Sequence, residues 1–172
     1  MATTYELIAK TVLGSDAANI EFTSIPGTGY TDLLLVASLR GTQAGVATRS
    51  LRLRFNSDTG SNYSYRWLRG TGSAASSGSN SNTFSFVGVI PAATSTADSF
   101  GSFECLIPNY AGSSNKSFSV TSIQETNAAA ADIWALANLW SSASAITSIE
   151  IYPESDDFSS GSSAYLYGIT KA

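Results

Sequence analysis

The chain has 172 residues, a formal net charge of −4, 43% hydrophobic and only 13% charged residues, one cysteine and no histidine. That length suits one domain with a substantial core. The missing histidine excludes Ser-His-Asp and Cys-His catalysis, zincin motifs and the commonest metal ligand, and the acidic balance disfavours nucleic acid, which selects basic surfaces.

Cys105 alone cannot form an intrachain disulfide or a multi-cysteine metal site, and it falls on the apolar face of an expected strand, as a small core residue. Ser, Thr, Gly and Asn fill the polar positions that charges would normally occupy. The longest apolar run, Leu33 to Ala37, is too short to span a bilayer, and no cleavable export signal opens the chain. The expectation is a soluble protein with no membrane partner.

In chain order, Tyr5, Leu7 and Ala9 alternate with Glu6, Ile8 and Lys10, the pattern of a first strand. Ile20 and Phe22 alternate with Glu21 and Thr23, and Pro26, Gly27 and Gly29 form a loop. Tyr30 to Arg40 carries Leu33-Leu34-Leu35-Val36, apolar on both faces, which predicts a central strand. Leu51, Leu53 and Phe55 alternate with Arg52 and Arg54; Tyr63, Tyr65 and Trp67 alternate with Ser64 and Arg66. The intervening Asn56 to Ser61 reads as the turn of a hairpin. Its Asn-x-Asp-x-Gly spacing also starts like a calcium loop, but the downstream bidentate Glu is missing, so the turn reading prevails.

Residues 70–82 are nearly all Gly, Ser, Ala and Asn and predict a mobile surface loop. Phe84 and Phe86 begin a strand that Pro91 ends. Phe103, Cys105 and Ile107, then Phe118 and Val120, flank Pro108-Asn109-Tyr110-Ala111-Gly112, a second hairpin in which Gly112 is expected to take the positive φ. The Ala-rich 127–131 fits a helical turn. Ile133 to Trp140, Ile146 to Tyr152 and Tyr165 to Ile169 complete a set of about ten short strands. The fold class is therefore all-β: a single-domain (1–172), two-sheet antiparallel β-sandwich, jelly-roll-like, with an immunoglobulin-like sandwich second.

The residues offer little chemistry for catalysis. Glu104 and Glu150 sit at expected solvent-facing strand positions with nothing pairing them, unlike the carboxylate pair of a glycosidase. Glu154, Asp156 and Asp157 make an acidic loop, read as solvated rather than as a cation site. No catalytic residue, metal site or cofactor is expected. Interaction residues are better represented. Arg49, Arg52, Arg54, Arg66 and Arg69 supply five of the nine basic residues. Arg52, Arg54 and Arg66 are expected on one hairpin face, either a hydrated outer sheet face or a docking surface for an acidic partner. Tyr63, Tyr65 and Trp67, with Tyr110, Trp134 and Trp140, serve as core, as interface anchors or as a glycan platform, with core favoured.

The opening Met-Ala-Thr-Thr-Tyr-Glu-Leu-Ile-Ala resembles that of small virion proteins encoded by tailed bacteriophages. So do Phe55-Asn56-x-Asp58-x-Gly60-Ser61-Asn62-Tyr63, Ile107-Pro108-Asn109-Tyr110-Ala111-Gly112-Ser113 and the terminal Tyr165-Leu166-Tyr167-Gly168-Ile169. The resemblance spans nearly the whole chain and rests on strands and turns. It implies a non-enzymatic virion protein assembled in the host cytoplasm. The first placement is a capsid decoration (cement) protein, a homo-oligomer with a trimer favoured, docked on the major capsid protein or another virion protein. The alternative is a tail-fibre or head-fibre tip that binds host-surface glycan.

Overall fold

A computed structural model describes residues 4–127 and 131–170. Their twelve strands are β1 (Tyr5–Val12), β2 (Ile20–Phe22), β3 (Asp32–Leu39), β4 (Thr48–Phe55), β5 (Tyr63–Gly70), β6 (Ala75–Asn82), β7 (Ser85–Pro91), β8 (Gly101–Pro108), β9 (Lys116–Gln124), β10 (Asp132–Trp140), β11 (Ile149–Pro153) and β12 (Ser163–Ile169). No helix occurs among the described residues. The helical turn expected over 127–131 lies largely outside them.

The strands form an eight-stranded sheet, β1-β12-β3-β8-β9-β10-β5-β6, and a four-stranded sheet, β2-β11-β4-β7. Every pairing is antiparallel. β1-β12-β3-β8 facing β2-β11-β4-β7 is the strand order of a jelly roll, in which the chain passes from one sheet to the other at every step except β4 to β7. Two hairpin-sized insertions remain. β5–β6 interrupts the passage from β4 to β7, and β9–β10 follows β8; they join through the β10–β5 ladder and widen one sheet only.

The core lies between the sheets, built by the period-2 alternation of both. Leu51, Leu53 and Phe55 of β4, Val87 of β7 and Ile149 and Ile151 of β11 pack toward Leu33 and Leu35 of β3, Phe103, Cys105 and Ile107 of β8 and Leu166 of β12; all are fully buried. Burial pushes the Cys105 thiol far up, so it is an inert core group. β7 crosses the wide sheet over β9 and β10. Their closest approach needs Gly88, whose φ is +107° and whose missing Cβ would overlap Ser122; the Ser122 hydroxyl donates to Val89 O at 2.7 Å.

Several expectations need correcting. Residues 70–82 are not a loop: β6 pairs with β5 from Tyr63↔Asn82 to Gly70↔Ala75. Main-chain ladder bonds hold it, and these require no apolar side chains. β4 and β5 are not a hairpin. β4 belongs to the narrow sheet and β5 to the wide one, so the turn between them carries the chain across the sandwich. Asn56 and Ser57 there are both left-handed, with φ 52°. In the β8–β9 connection the positive φ (50°) falls on Asn109, a residue that tolerates it, and not on Gly112.

Candidate functional site

The arginines do not form one face. Arg52 and Arg54 lie on the outside of the narrow sheet, and Arg66 projects from the outside of the wide sheet, across the molecule. This follows from β4 and β5 occupying different sheets. Four of the five are also engaged within the chain. Arg49 and Arg52 pair with Glu154 at 3.4 and 2.7 Å. Arg52 lies over the Phe84 ring and Arg54 over Tyr152, at 4.1 and 5.0 Å. Arg69 pairs with the buried Asp132, which also accepts from Gln124 Nε2 at 3.3 Å.

The aromatics split into two groups. Tyr63, Tyr110 and Trp140 are core. The Tyr63 hydroxyl accepts from Phe55 N at 3.0 Å, the Tyr110 hydroxyl donates to Pro26 O, and Trp140 Nε1 donates to Asp58 Oδ2 at 2.7 Å. Asp58 also accepts from Asn62 Nδ2 at 2.9 Å and Gly60 N at 2.8 Å. The Asn-x-Asp-x-Gly segment is thus a turn whose carboxylate is taken up by N–H donors. Desolvation raises the Asp58 pKa, but the Trp140, Asn62 and Gly60 hydrogen bonds and the Arg54 charge outweigh it and leave it lowered.

Tyr65, Trp67 and Trp134 behave differently. They point to the inner side of the wide sheet, next to the edge where β5 and β6 run beyond β7, the last strand of the narrow sheet. Nothing in the second layer covers them fully, and the overhang leaves an open cleft of about 370 Å³. Tyr65, Trp67, Gly78, Asn80, Phe86 and Trp134 line it. Trp67 and Trp134 have ring centroids 5.1 Å apart at 55°, Phe86 meets Trp134 edge-on at 5.1 Å, and Tyr65 lies 5.7 Å from Phe86. Arg69 caps Trp134 at 5.2 Å. Glycine at 78 is a geometric necessity, because a Cβ there would lie 2.6 Å from the Trp67 ring. The indole therefore packs directly against the β6 backbone at Gly78.

Polar groups share the cleft. Burial raises the Tyr65 pKa, and the Asn80 amide, the Arg52 charge and the Asn82 amide pull the other way. The indole N–H of Trp134, a residue 8% exposed, has no partner among the described residues. The sequence marks Tyr65, Trp67 and Trp134 through their shared strand faces. It misses Gly78 and Asn80, which lie in the small-residue tract, and Phe86, whose partners come from the other sheet.

The outer side of the wide sheet is a second feature. Leu7, Tyr167, Leu34 and Leu106 stand side by side across β1, β12, β3 and β8. Farther along, Ile123 faces Ile133, and Leu68 stands on β5; these three are 40%, 51% and 65% exposed.

The acidic residues assemble no site. Glu104 is exposed on the outside of the wide sheet, and Glu150 lies on the outside of the narrow one, where it accepts from Asn19 Nδ2 at 2.7 Å. Two carboxylates on opposite faces of a sandwich cannot flank one bond. Among the described residues no group of three His, Cys, Asp or Glu is arranged to hold a metal ion. No protein-family model, curated protein or solved structure matches the chain.

Proposed function

We propose that this protein is a virion structural protein of the tailed-bacteriophage type, and that it decorates the head by docking on the major capsid protein as an oligomer, with a trimer favoured. The observation that carries the reading is the outer side of the wide sheet. Tyr5, Leu7, Leu68, Ile123 and Ile133 are all at least 40% exposed there. These form two apolar patches, Tyr5 and Leu7 at one end and Leu68, Ile123 and Ile133 at the other, divided by Glu104, Ser119 and Thr121, and on a protein with few charges they offer two anchors for an interface. Docking through this side replaces the arginine face expected from the sequence, because those arginines are divided between sheets and mostly paired internally. The jelly roll supplies a folded β body for such a role, although the fold alone is shared by unrelated functions. Modest contacts of each copy would be multiplied by the symmetry of the lattice.

The test is a copy count against the major capsid protein in purified virions, together with a Leu68→Ser, Ile133→Ser double variant. Both side chains are exposed, so the variant should keep its stability within about 0.5 kcal/mol while losing occupancy on the particle. Hundreds of copies per virion with the wild type and few with the variant are expected. Absence from virions would sink the reading, and a handful of copies would transfer it to a fibre tip.

A further inference from the structure

We infer that the cleft under the overhang is a saccharide-binding site, with Trp67 as its stacking platform. The inference rests on the cleft alone and holds wherever in a particle the protein sits. The jelly roll is complete without β5, β6, β9 and β10, yet it is these additions that bring Tyr65, Trp67, Gly78, Asn80 and Trp134 together. Tyr65 and Trp134 are buried and show the opening only an edge, whereas Trp67 and Phe86 stay partly exposed along it.

The lining selects the ligand class. A pyranose presents an apolar C–H face and a rim of hydroxyls. The partly exposed Trp67 indole, seated against the strand where Gly78 leaves room for it, offers an apolar surface for the first. The Asn80 amide and Tyr65 hydroxyl are neutral donors and acceptors for the second. A space of about 370 Å³ suits one or two sugar rings. A proline-rich peptide is the other ligand that aromatic grooves take, and the neutral Asn80 and Tyr65 groups favour the hydroxyl-rich sugar over it. Because side chains alternate along a strand, the cleft lies on the opposite side of the wide sheet from Leu68 and Ile133. A copy attached through that outer side would keep the cleft open to solvent.

The experiment is saturation-transfer NMR on the full chain with the methyl pyranosides of glucose, galactose, mannose and N-acetylglucosamine. A proline-rich peptide serves as the competing probe. At least one pyranoside should receive saturation on the protons of its apolar face. Its affinity should fall about tenfold in Trp67→Ala, a loss of the size expected for one aromatic contact, and recover partly in Trp67→Phe. Gly78→Ala, which displaces the indole without deleting it, should weaken binding while circular dichroism and Tm show a folded chain. Transfer to none of the sugars, transfer unchanged in both Trp67→Ala and Gly78→Ala, or transfer to the peptide alone would each overturn the proposal. The copy count in virions reads the structural role separately, so either reading can fail without the other.

Discussion

Asp58 shows how much of the sandwich hangs on single polar residues. Its carboxylate holds the indole N–H of Trp140, the Asn62 amide and the Gly60 backbone, and so ties the β4–β5 crossing to β10. Asp58→Ala leaves the Trp140 donor without a partner and should cost about 2 kcal/mol in urea unfolding. The folded-state pKa of Asp58 is lowered, so its contribution is complete above the unfolded value of about 4 and disappears as pH falls through the folded one. The gap between wild type and variant should therefore narrow in acid; a gap independent of pH would contradict this role. Arg69 poses a related test. Replacing it by Met removes the cation beside buried Asp132, and about 2 kcal/mol of stability should go with it. Removing both partners together should cost less than the sum of the single changes.

Among the elements, β7 decides how closely the two sheets meet. Gly88→Ala would force a Cβ into Ser122 at a backbone angle that L residues rarely adopt. A loss of about 2–3 kcal/mol is expected, partly recovered in a Gly88→Ala, Ser122→Gly double variant; strict additivity of the two changes would count against a shared contact. The strand pattern itself was largely readable in advance. Leu51-x-Leu53-x-Phe55 and Phe103-x-Cys105-x-Ile107 announce both strand and buried face, because period-2 alternation records burial directly, whereas Ile133 to Trp140, apolar on both faces, announces only the strand. Pairing is not recorded that way. A turn-rich segment between two alternating runs closes a hairpin or crosses a sandwich with the same residues, so Arg52 and Arg66 were assigned to one face when they lie on two. β6 escaped because Ala-Ser-Ser-Gly-Ser-Asn-Ser-Asn buries almost nothing, and only its ladder with β5 makes it a strand. The cleft was half legible: its aromatics alternate visibly, whereas its glycine floor is defined by a neighbour distant in sequence.

At the scale of the whole molecule, the buried phenols and thiol set an alkaline limit. Burial holds Tyr63, Tyr65, Tyr110, Tyr152 and Cys105 above their ordinary values. From about pH 9 upward the unfolded chain releases protons that the folded one keeps, and stability falls as pH rises. Lys116 acts in the opposite sense. Its ammonium donates to the carbonyls of Gly112 and Ser114, yet burial lowers its pKa, which adds stability as pH approaches about 10.4. One amine is outnumbered by five acids, so Tm should drop between pH 9 and 11. Tyrosinate absorbance should lag behind that of the unfolded chain, and phenols titrating normally in the native state would refute the assignment. The overhang has a kinetic counterpart. Its outermost strand β6 bonds to one neighbour and carries no core residue, while β3 and β8 are held on both sides. Backbone amides of β6 and the end of β5 should exchange with deuterium by local opening, orders of magnitude sooner than those of β3, whose release requires global unfolding. The β6 side of the cleft is thus weakly held, and a sugar bridging Trp67 and Trp134 would slow that exchange locally and leave β3 unchanged.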